Sequence, residues 1–205
     1  MKIDIFKVNA FTEKDTGGNP AGVFFNSPKL DPKQMLDITK KLNVSETAFF
    51  YNSNKADYKL LYYTPTVEVE LCGHATIASF FTMGLEKIVS KDSTIKIETK
   101  AGIFSIDLFF KNNKIERVMM EQAKPRLKDI SIDILKLTKS LNLKKEDIDF
   151  SLPSQLTSSG LFTLPICVRS YNILKSIKPK FDLVSRLCKK YNAGSFFVYT
   201  FDTIE

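Results

Sequence analysis

Hydrophobic and polar positions alternate over the first residues of the chain and then change to a helical spacing. Residues 2–11 (KIDIFKVNAF) alternate like a half-buried strand, and residues 21–25 predict a second strand after a Gly-Gly-Asn-Pro break. Asp31 and Pro32 then predict the start of a helix, and Gln34 stands where a capping box needs it. The apolar residues of this helix share one face, at Met35, Ile38 and Leu42.

Short apolar runs rich in aromatic and β-branched residues fill the next part of the chain. They predict strands over residues 47–51, 58–64, 67–71, 95–98, 103–110 and 115–121. Residues 111–114 predict the hairpin turn between the last two strands. Residues 74–83 can form a helix that Gly84 terminates.

The chain changes character after this series of strands. Residues 123–126 are predicted to form a connector, and Ser131 is predicted to cap a helix. The remaining elements are a strand, a helix and a strand, over residues 163–168, 182–191 and 195–201. Because strands and helices are mixed without a regular βαβ alternation, we predict an α+β fold with mainly antiparallel sheet. We place two domains, over residues 1–122 and 123–205.

The formal charge of +7 does not by itself indicate nucleic-acid binding. The lysine doublets at residues 40–41, 144–145 and 189–190 are dispersed along the chain, whereas a nucleic-acid binder concentrates its charge on one face. No apolar stretch approaches the ~20 residues of a membrane helix, and the amino terminus offers no signal-peptide core. We therefore expect a cytoplasmic protein without nucleic-acid or membrane partners.

The sequence does not indicate a metal or cofactor site. It has one histidine, and its three cysteines form no CxxC pair. Gly17 and Gly18 precede no helix of the dinucleotide-binding type. We therefore expect no metal, flavin or nicotinamide, so that any catalysis depends on carboxylates, thiols or backbone groups.

Three polar clusters fall where a strand gives way to a turn or helix, the usual place of functional residues, at residues 18–22, 43–49 and 71–76. Glu46 lies at the mouth of an apolar run, where a partly buried carboxylate can act as base and acid in turn. Gly73, His74, Ala75 and Thr76 are predicted to form the first turn of a helix. Unpaired N–H groups there carry partial positive charge and suit a substrate carboxylate.

The same clusters carry a family resemblance. The runs GNPAGVF, SETAF and YTPTVEVELCGHATIA resemble the motifs of the phenazine-biosynthesis (PhzF-like) isomerase family over roughly residues 1–120. The similarity continues more weakly at residues 158–161 and 194–200. It implies two similar domains, each a barrel-like sheet around a central helix, in the fold of diaminopimelate epimerase and proline racemase. It also implies a homodimer that needs no cofactor.

The resemblance assigns roles to individual residues. Glu46 matches the glutamate that takes a proton from a carbon atom and returns it at another position of the substrate. His74 matches an active-site histidine that assists, and Asn19 falls in a loop that lines the cleft. Cys72 stands where related racemases place a second base. An inert role for Cys72 is favoured, because Glu46 supplies a base without it.

The sequence departs from the family pattern in its second half. A second signature resembling E-D-P-V-T-G-S-A, which supplies groups at the opposing helix terminus, does not occur here. We therefore expect an incomplete second domain that lacks its central helix. Weak or absent turnover is expected for this polypeptide alone.

Three functions remain open from the sequence. The first is a cofactor-independent isomerase that moves a carbon-bound proton on a small carboxylated metabolite. The second is a catalytically degenerate relative that acts as a binding or interaction protein. The third is a racemase or epimerase that depends on Cys72.

Overall fold

The computed structural model describes residues 5–12, 17–25, 27, 29–159 and 161–202. The contacts within the chain divide into two compact units, Met1–Gln122 and Ala123–Glu205. The beginning of the strand predicted at residues 2–11 lies outside the described residues, and so does Gly160 of the weaker resemblance.

Eight strands build the sheet of unit 1. They are Ile5–Ala10 (β1), Asn19–Phe24 (β2), Glu46–Tyr51 (β3), Tyr58–Tyr63 (β4), Glu68–Val69 (β5), Ser93–Thr99 (β6), Gly102–Lys111 (β7) and Lys114–Met120 (β8). The strand order is β1-β2-β3-β4-β6-β7-β8, and β5 pairs with β4. The pairs β2–β3 and β4–β6 are parallel and the others are antiparallel. The predicted hairpin is confirmed, because Lys111 pairs with Lys114 across two asparagines of positive φ.

The sheet of unit 1 curls around a central helix, α2 (Gly73–Leu85). Strands from both ends of the sheet, β1 and β8, contact this helix, as do β2, β3 and β7. Buried residues lie on most sides of α2: Ala75, Thr76, Ala78, Ser79, Phe80, Thr82, Met83 and Gly84. A helix that is apolar nearly all round needs such an enclosure. The expectation that Gly84 ends the helix is wrong, because Gly84 packs inside it against Ile115 of β8.

A second helix of unit 1, α1 (Pro32–Leu42), leads the chain into β3. Its capping box is confirmed: the Gln34 N–H donates to Asp31 Oδ1 at 2.8 Å, and the Asp31 N–H donates to Gln34 Oε1 at 2.9 Å. Asn43 ends the helix in the left-handed conformation. Met35 packs into a core cluster with Phe24, Phe49 and Tyr63. This packing holds α1 against the sheet, close to the point where β3 begins at Glu46.

The described part of unit 2 has four strands, three α-helices and a short 3-10 helix at Lys145–Asp147. The strands are Arg126–Asp129 (β9), Gln155–Ser158 (β10), Thr163–Cys167 (β11) and Ser195–Tyr199 (β12), and the helices are Ile134–Leu141 (α3), Tyr171–Ser176 (α4) and Phe181–Tyr191 (α5). The sheet order is β12-β11-β10-β9, with β11 and β12 parallel. Asp133 caps α3 instead of Ser131, because its side chain accepts from the Lys136 N–H at 3.1 Å. The core consists of Leu137, Leu141, Ile148, Leu156, Leu164 and Ile166.

No helix within the described part of the chain is long and apolar enough to span a membrane.

Candidate active site

Three of the sequence clusters meet at the amino-terminal end of α2. Glu46 is the first residue of β3, Cys72 is the N-cap of α2, and His74 lies in the first turn of this helix. The parallel pairing of β2 with β3 places Ala21 opposite Glu46, which brings the start of β2 to the same place. The sheet register and the helix start therefore build one site from residues far apart in sequence.

Glu46 and His74 form the centre of this site. Glu46 Oε2 lies 3.4 Å from His74 Nε2, and the two side chains are 22% and 11% exposed. Glu46 Oε2 is itself buried, yet it accepts no hydrogen bond from the described residues. A buried oxygen without such a partner is costly unless a ligand, proton or ion completes it. Glu46 Oε2 is therefore available to a proton, a ligand or an ion that enters the site.

Ser45 is a site residue that the sequence analysis missed. Its Oγ lies 3.2 Å from His74 Nε2 and 3.4 Å from both Asn19 Oδ1 and the Pro20 carbonyl oxygen. The predicted residue Asn19 therefore contacts the site through Ser45. The available signal was the position of Ser45 directly before Glu46 at the start of the strand.

The ring of His74 is held in the neutral form. Burial lowers the pKa of His74 below its ordinary value, although the nearby Glu46 carboxylate and a hydrogen bond to the Pro20 backbone oppose this shift. Because Nε2 lies 3.2 Å from Ser45 Oγ and the ring hydrogen-bonds to the Pro20 backbone, we place the proton of the neutral ring on Nε2. Nδ1 is then an acceptor, and it lies 3.3 Å from Cys72 Sγ. The imidazole therefore contacts the thiol through Nδ1 and lies next to the Glu46 carboxylate at Nε2.

Cys72 is a buried thiol. It is 8% exposed. Burial, with a smaller contribution from the neighbouring Glu46 carboxylate, raises the pKa of Cys72 to about 12, although backbone hydrogen bonds from Ala75 and His74 oppose this shift. At neutral pH the group is therefore the protonated thiol, which is a poor base and a poor nucleophile.

The first turn of α2 offers an open face at Gly73. A Cβ atom built on Gly73 would meet nothing within 4 Å, and the residue is exposed. A ligand can therefore approach the Gly73 backbone, where the helix dipole favours an anion. Ala75 is fully buried, and its backbone N–H, like that of His74, hydrogen-bonds to the Cys72 thiol.

Thr76 corrects the predicted set of substrate-binding residues. Its N–H donates to the Cys72 carbonyl at 3.1 Å, and its hydroxyl donates to the same oxygen at 2.7 Å. The Tyr62 hydroxyl lies 2.6 Å from Thr76 Oγ1, and both residues are fully buried. Neither polar group of Thr76 is free for a ligand. Its role is to hold Cys72 and the helix start in place.

The fold also creates a group of potential metal ligands that the sequence analysis did not find. Glu46, Cys72 and His74 each offer one ligand atom, and these atoms all lie within 4.8 Å of one another. The expectation of no metal was based on spacing along the chain. Spacing alone does not show that β3 and the start of α2 bring these three residues together.

Comparison with known proteins agrees with the resemblance seen in the sequence. Residues 8–203 match the family model described as phenazine biosynthesis-like protein (PhzC-PhzF). The chain belongs to this family. It is 32% identical over 201 residues to the uncharacterized isomerase YfhB of Bacillus subtilis, covering 98% of this chain and 68% of the relative. It is 31% identical over 202 residues to the uncharacterized isomerase YddE of Escherichia coli, covering 97% and 67%.

Solved structures show the same relationship. A phenazine biosynthesis protein of the PhzF family from Bacillus anthracis is similar with a TM-score of 0.83 and 30% identity, over all of this chain and 69% of that one. A hydroxyproline epimerase from Agrobacterium vitis, at 12% identity and a TM-score of 0.58, shares the fold alone, over 92% of this chain and 56% of that one. The α+β, epimerase-like fold is confirmed. This PhzC-PhzF family member spans about two thirds of the length of the isomerases it matches.

Proposed function

We propose that this protein is an acid–base isomerase that moves a carbon-bound proton on a small carboxylated metabolite without a cofactor. The observation that supports this most strongly is the buried Glu46 Oε2, which lies 3.4 Å from His74 Nε2 and accepts no hydrogen bond from the described residues. The family relatives named isomerases agree with this class of reaction.

In the proposed reaction Glu46 carries the proton. Its carboxylate takes a proton from a substrate carbon, and the electron pair of the broken C–H bond spreads into the adjoining unsaturated system of the substrate. The protonated Glu46, whose proton can exchange with solvent while the substrate is bound, then gives a proton to a second carbon, so the enzyme ends in its starting state. Such a positioned group contributes about 10² to 10⁴ to the rate.

His74 and the start of α2 are proposed to position and stabilise the substrate. The neutral imidazole lies beside the carboxylate that moves the proton, with Nε2 3.4 Å from Glu46 Oε2. The open backbone at Gly73 receives the substrate carboxylate, whose charge the helix dipole favours. Ser45 acts as a positioning residue, because its Oγ lies 3.2 Å from the nitrogen that faces Glu46.

A single-base scheme is favoured over a racemase that depends on Cys72. Burial raises the pKa of the Cys72 thiol to about 12, so a thiolate base is scarce at neutral pH. Glu46 needs no such activation. We therefore expect Cys72→Ala to keep most of the proton-transfer activity, whereas a two-base mechanism would lose it.

Proton exchange tests this proposal directly. The purified protein is incubated in D₂O with a panel of small unsaturated carboxylic acids, and deuterium at carbon is followed by mass spectrometry. Exchange needs only the first proton transfer and its reversal, so wild type should exchange at least one acid even where complete turnover is weak. Glu46→Gln should lower that rate by about 10²-fold or more. Glu68→Gln is the matched control, because the Glu68 carboxylate pairs with Lys100 at 2.6 Å. Exchange in Glu46→Gln within a few-fold of wild type would remove Glu46 from the mechanism.

One observation favours an interaction protein as the second candidate. Phe197 on β12 and Phe201 just beyond it are 60% and 72% exposed, and Tyr199 lies between them with ring centroids 5.7 and 5.6 Å away. Exposed apolar patches of this kind mark association surfaces. Tight self-association in sedimentation, together with no carbon-bound exchange on any acid, would favour this candidate over the isomerase.

A further inference from the structure

We propose that Glu46, Cys72 and His74 bind a thiophilic divalent cation, Zn²⁺ in particular, and that the bound ion stops proton transfer. The binding itself does not depend on the proposed isomerase activity. The inhibition does, because it rests on the role of Glu46 as the base. Thiolate, imidazole and carboxylate together suit Zn²⁺, whereas Mg²⁺ and Ca²⁺ prefer oxygen ligands alone.

Two of the ligands already stand at the separation that zinc requires. Zn–S and Zn–N distances of about 2.3 and 2.0 Å at a tetrahedral angle put the sulfur and nitrogen about 3.5 Å apart. Cys72 Sγ and His74 Nδ1 are 3.3 Å apart. Both residues belong to the start of α2. There the Thr76 hydroxyl donates to the Cys72 carbonyl oxygen, and the Tyr62 hydroxyl in turn hydrogen-bonds to Thr76 Oγ1. The sulfur–nitrogen pair is therefore a preformed edge of a tetrahedron.

Glu46 completes a three-ligand site with a small movement. The three ligand atoms lie within 4.8 Å of one another. A tetrahedral ion needs about 3.6 Å between oxygen and sulfur, so this separation has to close by at most about 1 Å. The side chain is 22% exposed and Oε2 has no hydrogen bond to lose to a described residue, so this movement is inexpensive. The open face at Gly73 leaves room for water as the fourth ligand.

The surroundings of His74 suit a metal-bound imidazole. Ligating histidines usually donate their second ring N–H to a carbonyl, carboxylate or similar acceptor. When Nδ1 binds the ion, Nε2–H keeps Ser45 Oγ at 3.2 Å and the Pro20 backbone as partners. The second coordination sphere therefore exists before any ion arrives.

Binding and inhibition follow from the same three atoms. The Cys72 S–H bond breaks, its proton leaves to solvent, and the thiolate forms a bond to the ion without any change in oxidation state. The Glu46 lone pair that would take the substrate proton is then held by the ion. Metal and substrate compete for one carboxylate.

Cobalt(II) serves as the probe, because Co²⁺ bound to a thiolate gives a charge-transfer band in the near ultraviolet. The reduced 205-residue protein is titrated with Co²⁺, and Zn²⁺ is then added to displace it. We expect a saturable band that Zn²⁺ abolishes. Cys72→Ser should remove the band, and Glu46→Gln should weaken Zn²⁺ binding by about tenfold or more, the loss that even outer-sphere changes cause.

Cys188→Ser on α5 is the matched control and should leave the band unchanged. Because the chain has one histidine, the ring signals of His74 in the wild-type protein give a second readout that needs no variant. They should shift when Zn²⁺ is added. A wild-type protein without the band, a band that survives Cys72→Ser, or unmoved His74 signals would each overturn the metal site. None of these measurements uses a substrate, so their failure is distinct from failure of the isomerase proposal.

Discussion

The Cys72 thiol should resist alkylation far more than its position beside the site suggests. Its pKa rises from 9.0 to about 12 through burial and the nearby Glu46 carboxylate. Each unit lowers the thiolate fraction about tenfold, so at pH 8 the thiolate is about 10³ times scarcer than in the unfolded chain. Since the thiolate is the nucleophile, the rate with iodoacetamide should fall by about the same factor, before any steric protection is counted.

The assay compares the three cysteines of one protein sample. Folded protein is treated with iodoacetamide at pH 8, samples are quenched over time, and each cysteine peptide is quantified by mass spectrometry. Cys188, which is only partly buried, should react well before Cys72 and Cys167. The urea-unfolded protein at the same pH gives the reference rate for each peptide. If folded Cys72 reacted at or near its unfolded rate, the buried, protonated thiol described above would be ruled out.

Three further predictions concern stability and pH. Gly84→Ala should lower the free energy of unfolding in urea by about 1 to 3 kcal/mol, because the new Cβ atom would come 2.6 Å from Ile115 Cβ. Gly73→Ala should lower it far less, because a Cβ atom there meets nothing within 4 Å. Thr47→Val should leave the free energy of unfolding unchanged or raise it by up to about 2 kcal/mol in the same assay. The reason is that Thr47 Oγ1 is buried without a hydrogen bond to the described residues. A clear loss of stability would contradict the view that this hydroxyl is unsatisfied. Burial lowers the pKa of His74 in the folded protein. As the pH falls below about 6.5, the unfolded chain therefore protonates its histidine before the folded protein does, and the free energy of unfolding decreases. His74→Gln should reduce this decrease, and an unchanged pH dependence of stability in the variant would contradict the lowered pKa of His74.

The features predicted correctly from the sequence are those that depend on residues close together in the chain. The capping box of Asp31 and Gln34 and the hairpin at residues 111–114 depend on neighbours in the chain, and both are present. Strand β9 was missed because its four residues are all exposed and show no alternation. Helix α4 was missed because its six residues include no buried position from which a periodic apolar face could be recognised.

Tertiary contacts account for the remaining differences. Gly84 looks like a helix end in sequence, yet it is the residue that lets α2 approach Ile115, so packing overrides its local preference. Thr76 looks like an anion-binding residue, but its side chain turns inward to Tyr62. The contacts of Ser45 with Asn19 and Pro20 depend on the register of β2 with β3, and the three-ligand cluster depends on the packing of β3 against the start of α2. No single segment encodes either arrangement. Candidate residues were thus easier to predict from the sequence than the contacts between them.

The coupling between Glu46 and His74 is the claim on which the proposed chemistry depends, and one titration tests it. The chain has a single histidine, so its ring signal can be followed by NMR against pH without assignment. The Glu46 carboxylate raises the pKa of His74 from 3.4 Å away, an interaction of at least about 1 kcal/mol even at the dielectric constant of water. Glu46→Gln should therefore lower the pKa of His74, while Glu68→Gln leaves it in place. An unchanged His74 titration in Glu46→Gln would mean that the two groups do not share a site.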